Sequence, residues 1–353
     1  MSFKTKLTPP KADTKGNDSH LKKVFALAIA SFLIFSFSHF DSGYPPASKL
    51  NKQQWVDSVF NSLSEDQRLG QLFMVAAYSN KDETHYREID KLVREQHIGG
   101  LIFFQGGPGR QAVLTNRYQK AAKVPLIIGM DLEWGLQMRL DSTIQYPKAM
   151  TLGAITENSY IYEMGKEIAR QCKELGVHIN FAPVVDVNSN PQNPVIGYRS
   201  FGEDKINVTQ KGIAYMKGMQ DNGVLASAKH FPGHGDTDSD SHYTLPVIKH
   251  SRERLDTLEL YPFREMIKAG VKSIMVAHLA VPALDNRENM PTTLSHNVVT
   301  KLLKEEMGFE GLIFTDALNM KGVADFYKPG EVDLMALKAG NDVLLFAQDV
   351  PEG

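Results

Sequence analysis

The stretch Val224-Leu225-Ala226-Ser227-Ala228-Lys229-His230-Phe231-Pro232-Gly233-His234-Gly235-Asp236-Thr237-Asp238-Ser239-Asp240-Ser241-His242 changes character partway along. Val224 to Ala228 is an apolar run of the kind a buried strand needs. From Lys229 onward the chain becomes a polar loop holding three histidines, one lysine and three aspartates, punctuated by two glycines and a proline. No packing requirement calls for that composition. A buried strand that breaks into an ionisable loop is the arrangement found at the C-terminal ends of barrel strands, where barrel folds keep their reactive groups.

Working outward, short apolar runs recur along the chain: Leu72–Ala77, Ile98–Phe104, Leu126–Asp131, Val177–Pro183, Val224–Lys229, Ser273–His278, Leu312–Asp316 and Asp342–Ala347. They read as parallel strands buried on both faces. Helical patterns lie between them, as in Thr84–Gln96, Arg110–Lys123, Asn158–Leu175, Ile206–Asn222, Leu255–Ala269 and Ser295–Met307. Gly99, Gly176, Gly223, Gly270, Gly311 and Gly340 sit where helix C-termini favour positive φ. Strict alternation of eight strands with helices predicts an α/β fold, a (β/α)8 TIM-type barrel. An open doubly wound sheet is the runner-up. Its support is weak, because Gly106-Gly107-Pro108-Gly109 has neither the dinucleotide nor the P-loop spacing. Only Gln348 to Gly353 follow the eighth strand candidate, so the barrel is expected to lack its last helix and the chain to stop short of its domain end.

The chain has 353 residues, 42% of them hydrophobic, with a net charge of −2. That is ample for a large core and excludes a disordered chain. It offers no electrostatic case for nucleic acid. Cys172 is the single cysteine, so no disulfide forms within the chain. Lys22 and Lys23 precede an uncharged run from Val24 to Phe37. Its length suits a signal-peptide core better than a spanning helix. Ser36 and Ser38 offer a weak cleavage site, and the long polar start leaves an uncleaved anchor as the other reading. The expected organisation is a signal or membrane anchor at 1–40 (with 22–40 as any tether), a linker at 41–54 and the barrel at 55–353. Export to the periplasm or cell envelope follows from that reading.

Polar groups collect at the strand ends. Asp131 and Glu133 follow the third strand, Asp186 and the loop Asn188 to Arg199 the fourth, and Lys229-His230 the fifth. His278 ends the sixth and Asp316 the seventh. In a barrel all would face one mouth. Asp316 also has a plain reading as the cap of a helix opening at Ala317. Arg139 and Arg199 have one as ordinary ion-pair partners. Lys229 and His230 are harder to read that way, because an unpaired buried charge is costly. His278 is a candidate to line the mouth and His234 to organise the loop, with neither assigned a catalytic role. His234, Asp236, Asp238, Asp240 and His242 alternate, which raises a metal-dependent hydrolase as a rival. Their spacing is not that of a helical metal motif.

Lys229-His230-Phe231-Pro232-Gly233-His234-Gly235 with Asp240-Ser241-His242 resembles the signature of glycoside hydrolase family 3, its β-N-acetylglucosaminidase branch in particular. Gly129-Met130-Asp131-Leu132-Glu133-Trp134-Gly135 with Arg139 is similar to the family's Asp-x-Glu-Gly-Gly block. Val195 to Gly202 is similar to its Arg-Ser-Phe block, and Phe314-Thr315-Asp316-Ala317-Leu318 to its nucleophile strand. The resemblance runs from about Trp55 to Ala347. It implies Asp316 as catalytic nucleophile and His242 as general acid/base paired with Asp240. It implies Asp131, Arg139, Arg199, Lys229 and His230 as ligands of the sugar hydroxyls, and neither metal nor organic cofactor. The implied partner is a carbohydrate carrying N-acetylglucosamine, with peptidoglycan fragments fitting an envelope location.

The chemistry suits these residue types. A retaining glycosidase needs a carboxylate near the anomeric carbon and a proton donor at the leaving oxygen. A carboxylate two residues from an imidazole can fix its tautomer and raise its basicity. An imidazole so held can give a proton in one step and take one in the next. Trp134 departs from the family's glycine, and either stacks on a sugar face or narrows the pocket, or simply packs. Three further readings stay open: a β-glucosidase, a phosphorylase using phosphate as acceptor, and an inactive wall-binding barrel. Some family members carry a further C-terminal domain, so this chain is expected to be the front part of such a protein.

Overall fold

The computed structural model describes residues 51–241, 243–325, 327–328, 330–347 and 350. The expected signal or anchor, most of the expected linker, and His242 lie outside these residues. The chain divides into two compact units, Met1–Ser58 and Val59–Gly353. The described part of the first, residues 51–58, belongs largely to the helix Lys52–Asn61, which begins inside the expected linker. Among the described residues no helix is long and apolar enough to cross a membrane.

The second unit is a barrel of eight parallel strands. These are β1 (Phe73–Ala77), β2 (Gly100–Phe103), β3 (Ile127–Met130), β4 (Ile179–Asn180), β5 (Leu225–Phe231), β6 (Ser273–Val276), β7 (Leu312–Thr315) and β8 (Leu344–Leu345). Each strand falls in one of the apolar runs, extended only at β5. The spatial order is β7-β6-β5-β4-β3-β2-β1-β8. The ring closes where Phe314 bridges Val343 in parallel, with Thr315 N donating to Val343 O at 3.1 Å.

Alternation along the strands divides the core in two. Met74, Ile102, Ile179, Phe181, Met275, Phe314 and Leu345 pack together inside the barrel. Val75, Leu101, Phe103, Ile128, Ala228, Ile274 and Ile313 belong to the larger cluster that faces the helices. Gly129 makes room inside: a Cβ there would lie 2.7 Å from the Phe181 ring.

Two expectations need correction. The helix expected over Leu255–Ala269 is two helices, Arg252–Thr257 and Tyr261–Lys268, because Pro262 starts a helix but cannot continue one. Gly176, Gly223, Gly270 and Gly340 do adopt positive φ, but Gly99 and Gly311 do not. Those two are required by close approach: a Cβ on Gly99 would lie 2.0 Å from Gln71 O, and one on Gly311 2.5 Å from Lys272 O.

Candidate active site

The C-terminal ends of the strands surround a cavity of about 650 Å³. Asp131, Arg139, Arg199, Lys229, His230, Asp240 and Asp316 all line it, from positions scattered over the sequence. Glu133, Trp134 and His234 line it as well. Successive residues of a regular strand point to opposite faces. Lys229 and His230 nevertheless both reach the cavity, at the point where the β5–β6 register shifts between Ala228 and Phe231.

A buried ion network forms one wall. Lys229 Nζ lies 2.8 Å from Asp131 Oδ1 and 2.9 Å from Glu133 Oε1, with its side chain only 3% exposed. Arg139 Nη2 holds the other oxygen of Asp131 at 2.6 Å. Burial would raise both carboxyls, but the cations outweigh it. Asp131 is held at about 2 by Lys229 and Arg139. Glu133 is held well below the carboxylate range by Arg199 and Lys229. The ion-pair reading of the arginines and their placement on the pocket wall are therefore both true.

His230 is oriented from behind. Its Nδ1 is 2.7 Å from Asp186 Oδ2, and its backbone N–H also donates to that carboxylate. Asp186 further accepts the His234 N–H at 2.7 Å. Burial opposes ionisation of Asp186, but the His230 ring outweighs it and lowers its pKa. This leaves His230 Nε2 toward the cavity, 3.1 Å from Arg199 Nη2.

Asp316 directly follows β7, and its Oδ1 accepts the Ala317 N–H at 2.8 Å. No helix opens at Ala317. The next one is Lys321–Ala324, so the capping reading fails. Burial would raise the Asp316 carboxyl, but His230, His278 and the Ala317 N–H together lower it. It is therefore ionised at neutral pH. His278 does not line the mouth as expected. It is buried, with Nε2 3.0 Å from Ala317 O and Nδ1 2.8 Å from Thr293 Oγ1, and so braces the turn that carries Asp316.

Asp240 reaches the cavity from the loop after β5, while His242 lies outside the described residues. His234 organises that loop as expected: its ring nitrogens lie 2.8 Å from Thr237 Oγ1 and 3.0 Å from Ser241 Oγ. Burial and the neighbouring His230 push the His234 ring down to about 4, so it is neutral. Asp236 is turned to Ser189 and His250. Among the described residues the alternating histidines and aspartates do not converge on a cation site.

Sequence reasoning passed over Asn180 and Tyr215. Asn180 Oδ1 accepts the Leu132 N–H at 3.0 Å, and the Tyr215 hydroxyl donates to Leu132 O at 2.8 Å. Leu132 separates Asp131 from Glu133, so this buried pair fixes the backbone between the two carboxylates. No local pattern marks either residue. Trp134 lines the cavity and also packs, with Lys148 Nζ 2.9 Å from its ring centroid and Tyr198 tilted against it at 6.4 Å.

Comparison with known proteins shows the family to which this fold belongs. The model of the glycosyl hydrolase family 3 N-terminal domain matches residues 64–352. Beta-hexosaminidase A of Pseudoalteromonas piscicida is 40% identical over 281 residues, which is 73% of this chain and 47% of that protein. A beta-hexosaminidase of Thiobacillus denitrificans is 35% identical over 290 residues, 78% of each chain. The solved structure of a glycoside hydrolase family 3 beta-N-acetylglucosaminidase from Paenibacillus sp. str. FPU-7 aligns with a TM-score of 0.76 at 40% identity. That alignment covers 82% of this chain and 56% of the other. The chain thus spans about half the length of the first relative and of this structure. By the extent of the family match and the placement of its motifs around one cavity, the chain belongs to glycosyl hydrolase family 3.

Proposed function

We propose that this chain is the catalytic barrel of a retaining β-N-acetylhexosaminidase that removes terminal N-acetyl-β-glucosamine. The observation that carries the reading is Asp316: an ionised carboxylate after β7, aimed into the cavity that Asp131, Arg139, Arg199, Lys229 and His230 also line. In the first step an Asp316 oxygen bonds to the anomeric carbon as the bond to the aglycone breaks, and His242 gives its proton to the departing oxygen. In the second, water attacks the same carbon, His242 takes its proton, and Asp316 is released. In this reading Asp240 is the carboxylate that raises the basicity of His242. The charged wall binds sugar hydroxyls, with its side chains already fixed by one another. Fragments of peptidoglycan are the natural substrates in this reading, met after export to the cell envelope.

The test is hydrolysis of p-nitrophenyl N-acetyl-β-glucosaminide beside the β-glucoside by wild type, Asp316→Asn and His242→Ala. Preference for the N-acetyl sugar and loss in both variants are expected. A folded wild type that cleaves neither sugar contradicts the reading and favours a binding barrel. Release of sugar 1-phosphate only when phosphate is present favours a phosphorylase.

A further inference from the structure

Asp236 and His250 join the two stems of the loop that carries Asp240 and His242. The loop leaves β5 at Phe231 and regains the barrel where Val247 bridges Ala280 and Ile248 N donates to Ala280 O at 2.9 Å. His250, just past that return, bonds through Nε2 to Asp236 Oδ2 near the departure. The other oxygen of Asp236 accepts Ser189 Oγ at 3.1 Å. The departing stem is held further by Asn193 Nδ2, which donates to His234 O at 2.8 Å, and by Asn190 Nδ2, which donates to Thr237 O at 3.1 Å. Neither Asp236 nor His250 lines the cavity, and both are partly exposed. They touch the loop's foundation rather than any ligand.

Tying two points fourteen positions apart removes much of the conformational freedom of the chain between them. A proton donor must sit within hydrogen-bond reach of the oxygen it protonates, and small misplacements are expensive in rate. We propose that Asp236 and His250 are positioning residues: their bond sets the separation of the loop stems and so holds Asp240 at the cavity, on the loop to which the hydrolase reading assigns the proton donor. This rests on the hydrolase reading above. The pair acts on bond cleavage only through the donor and leaves the Asp316 side of the cavity unchanged.

That division gives a readout that a merely structural role would not produce. A phenyl aglycone needs protonation as it leaves, whereas a 2,4-dinitrophenyl aglycone departs unaided. In the 353-residue chain, His250→Ala is expected to lower kcat/KM for phenyl N-acetyl-β-glucosaminide by about 10- to 100-fold, part of the roughly 10²–10⁴-fold that general acid catalysis supplies. The 2,4-dinitrophenyl glycoside should change by less than about 3-fold, since it draws on none of that contribution. Asp236→Ala, which also releases Ser189, should lose at least as much on the phenyl substrate. His250→Gln should restore most of the rate, because its amide nitrogen can still donate to Asp236. An equal loss on both substrates, no loss on either, or failure of the glutamine to rescue overturns the proposal while leaving the hydrolase reading intact. A wild type that cleaves neither glycoside overturns both.

Discussion

Arg199 grips Glu133 with two nitrogens, Nε 3.0 Å from Oε2 and Nη2 2.7 Å from Oε1. The same Nη2 stands 3.1 Å from His230 Nε2, and Glu133 also takes Lys229 at 2.9 Å. One carboxylate that contributes no step of its own thus fixes two cavity-lining cations, Arg199 and Lys229, and through Arg199 bears on His230. Lysine at position 199 would keep the charge but not the planar fork. Arg199→Lys is expected to reduce unfolding free energy by about 1–3 kcal/mol, the cost of a lost bond to a buried charged group. It should also lower kcat/KM for the N-acetyl glycoside. Urea unfolding and steady-state rates measure the two effects.

Acid should weaken the fold in two separable windows. His234 is held neutral, down at about 4 from an ordinary 6.5. Its share of stability is complete above 6.5 and is lost as pH falls from there toward 4. Asp131 is held at about 2 against an ordinary 3.8, so its share is complete above 3.8 and is lost between there and 2. Urea unfolding measured from pH 7 downward should therefore fall in both ranges. His234→Gln should flatten the upper range and leave the lower one.

The acid limb of kcat/KM should lie below the ordinary carboxylate value, because the free-enzyme limb reports the group that must be ionised. Asp316 is lowered against the effect of burial by His230 and then by His278. His278→Gln removes the second of these from a residue that does not itself line the cavity, with the glutamine amide able to keep the bond to Ala317 O, and is expected to move the acid limb upward. An unchanged limb would separate that limb from Asp316.

Tyr215→Phe removes the hydroxyl that donates to Leu132 O at 2.8 Å and meets Asn180 Nδ2 at 3.0 Å. Two buried polar groups lose a partner. The expected cost is about 1–3 kcal/mol of stability. A fall in kcat/KM should accompany it, since the backbone between Asp131 and Glu133 is no longer pinned from this side.

The barrel was legible because buried parallel strands are short apolar runs, and Val224–Ala228 or Leu312–Thr315 can be read without knowing their neighbours. The residues gathered at the mouth were legible for the same reason: Asp131, Lys229 and Asp316 each end such a run. What escaped was pairing. Lys229 meets Asp131 across 98 positions, and Asn180 meets Tyr215 across 35, and no local pattern encodes either contact. Gly99 and Gly311 misled similarly. Their position after a helix pointed to a turn, whereas the requirement is a carbonyl from a distant segment. Glu133 was noticed as a charge beyond β3, but its role depends on Arg199, which only the fold delivers.

The most direct test of the account is to trap the intermediate. The 353-residue chain would be incubated with 5-fluoro-N-acetyl-β-glucosaminyl fluoride, which forms a glycosyl-enzyme faster than water removes it, and then digested and mapped by mass spectrometry. The account predicts one added sugar, located on Asp316. Steady hydrolysis of N-acetyl glycosides with no adduct, or with an adduct on another residue, would contradict it.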